Sequence, residues 1–370
     1  MGAHMSFKRR VVCFLFFWLF IATLVRAQVL LQPRFAYVVN EISQDITGYS
    51  VDRNSGALTQ LPDSPFPGSP GLITLIVDRK GTFVYVPDEV LSVVEVYSIA
   101  KDGTLAQVPG SPFPTDWEPI SLVIAFPGNF LYVANEAAGD VSAYRLAAGG
   151  KMIEVEGSPF PGGYVPDGIA ADPTGRFVYV INSGSNDISS YVIDQATGAL
   201  KPIGLQTTPV AYFPFWVTVH PSGRFLFVTS VSDAISVFTI DNTTGALTAA
   251  SVLGVTPGNG PLGIAIEPTG RFAYVANGAG SVSAYAINQS DGSLTELPTS
   301  PYLDAGFPQQ PAVDPSGKFL YVPNTVTNDV SSFRINGKTG ELTKIPKSPF
   351  AAGNTPFGIA ISTAAPSALH

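Results

Sequence analysis

Glu118 and Asp167 flank two prolines, Pro119 and Pro166, that stand forty-seven residues apart. Paired carboxylates at a cleft can divide acid and base roles between them, or hold a divalent ion such as Ca²⁺ through oxygen. Aromatic residues crowd the same segments: Trp117, Tyr164, Tyr212, Phe215 and Trp216, with Phe357 near the end of the chain. Aromatic planes beside carboxylates hold a neutral sugar or a cationic group by stacking, hydrogen bonding or cation–π contact. Glu118 and Asp167 are therefore the candidate catalytic pair, and the six aromatics the candidate ligand contacts.

Other chemistries find little material. The sequence has no GxSxG motif, one cysteine (Cys13) and three histidines (His4, His220 and His370), so neither a Ser-His-Asp set nor a His/Cys zinc site is legible. His220 lies in "VTVHPSGRF", at a turn position where other copies of the same phrase carry Asp172, Glu267 and Asp314; the expectation is a structural role. No EF-hand spacing appears, no cofactor is required, and an oxygen-ligated divalent ion is the one metal the composition leaves open.

The phrases repeat with a fixed pitch. "FxYV" or a near variant begins at Phe35, Phe83, Phe130, Phe177, Phe225, Phe272 and Phe319, and the glycine of "TGAL"-like turns falls at Gly56, Gly103, Gly150, Gly198, Gly245, Gly292 and Gly340. Within residues 166 to 202, "GIAAD", "RFVYVIN", "ISSYVID" and "ALKPI" are separated by turn signals, which predicts four short antiparallel strands per repeat. Seven four-stranded sheets arranged radially make an all-β, seven-bladed β-propeller. The second strand is apolar throughout because each blade is covered on both faces by its neighbours. The first copy lacks an inner strand, while "PFGIAIS" at 356–362 is surplus. Ring closure by pairing 356–362 with 35–39 is the expectation, since a closed ring removes exposed strand edges.

Residues 1–4 read as an expression remnant and 5–27 as a signal peptide, with Lys8, Arg9 and Arg10 ahead of an apolar run from Val11 to Val25; the propeller occupies 28–370. Removing 1–27 takes four bases and no acid, so 28 acids face 16 bases, a net charge of −12 against −8 for the whole chain. Nucleic acid is excluded as a partner by this balance, no later segment spans a bilayer, and the exported chain would be periplasmic or extracellular.

"YVAN", "YVIN" and "YVPN", followed by "DVSAY", "DISSY" and "DVSSF" and then by "TGALT", resemble the lactonase-type seven-bladed propellers, a group with 6-phosphogluconolactonase-like and muconate-cyclising enzymes and YVTN-repeat surface proteins. The resemblance covers the chain after the leader and implies lactone hydrolysis. Most of the matching residues read as architecture. Asn40, Asn135, Asn182, Asn277 and Asn324 are expected to bond their own backbone in Asx turns, and Asp45, Asp140, Asp187, Asp233 and Asp329 to build the blade.

Propeller topology puts the loops after strands two and four on one face. Fourteen acids fall there (Glu41, Asp45, Asp63, Asp88, Glu89, Asp116, Glu118, Glu136, Asp140, Asp167, Asp187, Asp233, Asp304 and Asp329) against one base, Lys347. Such a face repels phosphate monoesters. Aligning the lead-in prolines Pro70, Pro119, Pro166, Pro214, Pro261, Pro308 and Pro356 places Glu118 and Asp167 beside the mouth in adjacent blades. Three readings follow. The leading one is a mouth that binds a small carbohydrate-like or cationic ligand, or an envelope protein, without covalent chemistry. The others are hydrolysis of an unphosphorylated sugar lactone, with or without a divalent metal, and an envelope or surface-layer scaffold.

Overall fold

Runs such as Phe177–Asn182 are β-branched and aromatic, too short for a buried helix, and bounded by Gly and Asp turns; in the computed structural model each forms the second strand of a blade. The structure describes residues 33–204, 207–250, 260–303 and 306–363. The leader, the four residues before it, Asp304 and His370 lie outside them. Seven antiparallel sheets are present, and no helix among the described residues is long and apolar enough to cross a membrane.

Blade three shows the pattern: Pro119–Ala125 innermost, then Phe130–Asn135, Asp140–Leu146 and Met152–Glu154. The outer strand is interrupted rather than finished. The next link returns to the same edge of the third strand, pairing Phe160 with Val141. Equivalent links sit at Phe66, Phe113, Tyr302 and Phe350. In five links the serine of "SP" accepts a third-strand amide, as Ala143 N–H to Ser158 Oγ at 3.0 Å.

The ring closes as the surplus strand requires. Pro356–Thr363 pairs antiparallel with Pro33–Asn40, Tyr37 opposite Ala360 and Val38 opposite Ile359. The apolar core lies between blades, in seven clusters that each draw on two neighbours; one of them joins Phe319 and Tyr321 of blade seven to Ala36 and Val38 of blade one.

Residues 66 positions apart lock neighbouring blades. Tyr132 O–H donates to Gly198 O at 2.8 Å, and Tyr37, Tyr179 and Tyr274 do the same to Gly103, Gly245 and Gly340. Tyr321 reaches Gly56 at 3.0 Å and so ties the last blade to the first. Gly198 has φ +85°, and a Cβ there would run into the Phe130 ring, so both the conformation and the close approach demand glycine.

Two expectations change here. The repeated asparagines do not make Asx turns; their amides reach across to the third strand, Asn182 Nδ2 donating to Asp187 Oδ1 at 2.7 Å and Ser189 Oγ at 3.0 Å. Asn40, Asn135 and Asn324 repeat this, so Asp45, Asp140, Asp187 and Asp329 build blades as expected; Asp233, with Ser230 in the asparagine position, instead accepts Gly260 N–H. Blade two is also entered differently. Leu72, not Pro70, bridges to Asp88 in the place where Pro119 faces Asn135 and Pro166 faces Asn182. Its lead-in is as long as the others but has leucine in the proline's place, with Pro70 two residues earlier, which the proline alignment misses.

Candidate functional site

Each inner strand begins with a lead-in residue paired to the end of the second strand, and the ladder then slips. Slips between Pro119 and Ser121, Pro166 and Gly168, and Pro214 and Trp216 leave Ile120, Asp167 and Phe215 without ladder partners. A bulge frees a side chain to point away from the sheet. These three residues line a cavity of about 190 Å³ at the mouth, with Ile73 and Phe357 from the same position of blades two and one. Trp216 and Gln310, one residue further on, complete the wall.

A second ring stands above it. The residue after each second strand donates its amide to the carbonyl just before the lead-in residue of its own blade: Glu41 to Thr355, Glu89 to Gly71 and Glu136 to Glu118. Glu41, Glu89 and Glu136 therefore occupy one position in blades one, two and three, where blades four to seven carry Ser183, Val231, Gly278 and Thr325. Glu41 and Glu89 line the cavity beside Asp167. The opening is polarised: acids from blades one to four face aromatics from blades five and one.

Burial and mutual repulsion act on these carboxyls together. Burial raises the pKa of Glu136 from 4.5 to about 7, with the charges of Asp167, Glu118 and Glu89 adding to it. Burial also raises Glu89, helped by Glu41, Glu118 and Asp88, and raises Asp167, where the Ser183 hydroxyl pulls the other way. Among the described residues no group of three or more His, Cys, Asp or Glu side chains is placed to hold a metal ion.

Of the eight candidates named from sequence, Asp167, Phe215, Trp216 and Phe357 meet at the cavity. Glu118 does not line it: the residue sits before its proline where Asp167 sits after, with φ +55° and an exposed side chain. Trp117, Tyr164 and Tyr212, at 72%, 72% and 69% exposure, stand on the rim of the same face. Gln310 was not singled out. Thr74 O–H donates to its Oε1 at 2.9 Å, which fixes the amide with the NH₂ group as the free donor. The signal was "PQQP", the one lead-in with an amide in place of the usual small residue.

His220 is buried on the opposite face, between Ser222 and Gly270, both at 2.7 Å, with the Phe225 ring edge-on at 5.6 Å. Burial lowers its pKa. It accepts Ser222 N–H within its turn as Asp172 accepts Thr174 N–H, and the structural reading stands.

The sequence family described as "Lactonase, 7-bladed beta-propeller" matches residues 23–155, 75–211 and 213–364. The chain belongs to that lactonase family. No curated protein sequence matches it. Among solved structures, this lactonase propeller resembles a Lactobacillus plantarum protein at TM-score 0.76 and 20% identity, covering 89% of this chain and 99% of that one. A periplasmic gluconolactonase of Pseudomonas aeruginosa gives 0.75 and 19%, over 90% and 99% of the two chains. A Bacteroides fragilis protein provisionally named a 6-phosphogluconolactonase gives 0.75 and 20%, over 89% and 98%. At these identities the likeness speaks for the fold.

Proposed function

We propose that the protein is an exported hydrolase of an unphosphorylated sugar lactone, with the mouth as its active site. The observation that carries this reading is the cavity wall: Glu41, Glu89 and Asp167 with Phe215, Trp216 and Phe357, and no Lys or Arg. A phosphate monoester would meet three carboxylates and no cation. A neutral sugar ring can stack on the aromatics and hydrogen-bond to the acids. Family membership, and the gluconolactonase activity named for the P. aeruginosa structure, supply the reaction class. The apolar run from Val11 to Val25 behind three bases, and the periplasmic location of that relative, support export.

In this reading Asp167 takes a proton from water as the water oxygen bonds to the lactone carbonyl carbon. Its raised pKa makes it a stronger base than an ordinary aspartate. The Gln310 NH₂ group donates to the carbonyl oxygen as negative charge gathers there. The ring C–O bond then breaks, and the leaving oxygen takes the proton back from Asp167. The hydroxy acid formed ionises, and the acid-lined cavity that admitted a neutral substrate repels the anion.

Glucono-1,5-lactone hydrolysis, followed by proton release above the uncatalysed rate, tests this. Wild type is expected to turn over the neutral lactone in preference to its 6-phosphate, and Asp167→Asn to lose about 10²–10⁴-fold in kcat. Preference for the phosphorylated lactone, or full activity in Asp167→Asn, would refute the assignment.

A second reading, a partner-binding face, has one observation of its own. Among the described residues, ten of the thirteen exposed large apolar side chains stand on the mouth face: Ile42, Val90, Leu91, Trp117, Tyr164, Tyr212, Phe213, Val231, Phe307 and Val326. An apolar rim of this kind supports a contact with something larger than one sugar. Trp117→Ala is then expected to leave hydrolysis of the small lactone unchanged and to weaken retention on a carbohydrate polymer or envelope fraction.

A further inference from the structure

Six of the seven second-strand phenylalanines carry an arginine over the ring: Arg34, Arg145, Arg176, Arg224, Arg271 and Arg334 lie 4.7 to 5.5 Å from the ring centroids. Five of these guanidiniums also donate to a backbone carbonyl of the next blade, as Arg176 does to Asn242 O at 2.7 Å. Phe83 has no such cover. Thr82 stands before it where blades one, four, five and six have arginine, and Ser98 stands opposite it where blades three and seven have arginine. Tyr85 departs too. Its hydroxyl has no hydrogen-bond partner among the described residues, whereas Tyr37, Tyr132, Tyr179, Tyr274 and Tyr321 all reach a carbonyl in the next blade.

In place of the missing lock is a groove of about 470 Å³ between blades two and three, on the face opposite the mouth. Phe83 and Phe126 wall it, Tyr85 lies at its floor, and Asn129 adds an amide. Arg79 and Lys80 stand at its rim, both exposed. The Arg79 guanidinium carbon is 5.9 Å from the Phe126 centroid and the group makes no hydrogen bond or ion pair with a described residue. The nearby acid is already engaged: Asp78 accepts the amides of Thr82 at 2.6 Å and Phe83 at 2.9 Å and the Thr82 hydroxyl at 2.8 Å. The rim is thus cationic, the walls aromatic, and the floor supplies an O–H donor that burial keeps protonated.

We propose that this groove is a second binding site, for a small aromatic carboxylate. The ring system enters between Phe83 and Phe126, in a volume within the roughly 300–1,000 Å³ of small-molecule sites, and the carboxylate meets Arg79 and Lys80. Its charge preference is the reverse of the mouth's. The six locked junctions show what an unliganded interface of this fold looks like when nothing needs to enter.

Isothermal titration of the full-length protein with 2-naphthoate, and with uncharged 2-naphthamide, tests the proposal. Naphthoate is expected to bind one site at least tenfold more tightly than naphthamide. Arg79→Gln, at an exposed position, is expected to weaken naphthoate at least tenfold. Thr82→Arg, which restores the arginine of the other blades and fills the groove, is expected to abolish binding and raise Tm. Asp167→Asn, in the mouth, is expected to bind naphthoate as wild type does, whatever it does to lactone hydrolysis. Absence of naphthoate binding, equal affinity for the amide, or wild-type affinity in both Arg79→Gln and Thr82→Arg would overturn it.

Discussion

Replacing Glu136 by glutamine should stabilise the protein, and only above a definite pH. The folded carboxyl holds its proton up to about 7 against 4.5 in the unfolded chain. Between those values the folded state binds more protons than the unfolded state, so stability falls as pH rises through the window and the loss is complete above it. The shift corresponds to about 3.4 kcal/mol at 1.36 kcal/mol per unit. Glu136 is only partly buried at the edge of an open mouth, and solvent screening reduces this to about 1–2 kcal/mol. Glutamine keeps the shape and the backbone bond to Glu118 O but carries no charge to bring near Asp167, Glu118 and Glu89. For a chain of this size that amounts to a rise of about 2–4 °C in Tm at pH 8 and essentially none at pH 4.5. Differential scanning calorimetry of both proteins across that range checks it, the difference in Tm growing with pH toward a plateau above about 7. An equal Tm difference at both ends, or a less stable variant at pH 8, would show that the acidic arc is not under the mutual repulsion described.

Three other outcomes follow from the fold. Gly198→Ala, at φ +85° and against the Phe130 ring, should cost about 2–4 kcal/mol in chemical denaturation through backbone strain and overpacking, with the m-value unchanged. His220→Ala should lower stability by about 1–3 kcal/mol through loss of buried hydrogen bonds while leaving kcat on the lactone as in wild type; a fall in kcat would reopen a catalytic role. Ending the chain at Asn354 removes the inner strand of blade one and bares Pro33–Asn40 along one side. Size-exclusion chromatography should then find aggregate where the intact chain elutes as a discrete species.

Repetition made the architecture readable: seven copies of "FxYV" and seven turn glycines locate the second and outer strands, and the orphan strand at the end predicts its own partner. What holds the blades together was less accessible, because the Tyr132 to Gly198 bond spans 66 residues and neither residue signals the other. The mouth was half legible. Asp167 stands out because it interrupts an apolar strand start and Phe215 because it falls in an aromatic cluster, but Glu118, two register positions away, looks equivalent until the bulge after the proline is seen. Blade two hid Ile73 because a proline in the wrong place suggested the wrong register. Gln310 is oriented by Thr74, 236 residues distant, and the raised pKa of Glu136 comes from burial in the assembled mouth and then from charges on three other segments; no local pattern carries either.

The pairing of Pro33–Asn40 with Pro356–Thr363 has a consequence for the order of assembly. A polypeptide delivered from its amino end must carry an incomplete first sector until nearly every other residue has arrived. The circle is then fastened by pairing of the first described strand with the last. Cutting the loop between any two other sectors and joining the native ends by a short linker would move that event elsewhere, giving a permuted protein of the same shape whose folding is nucleated in a different place.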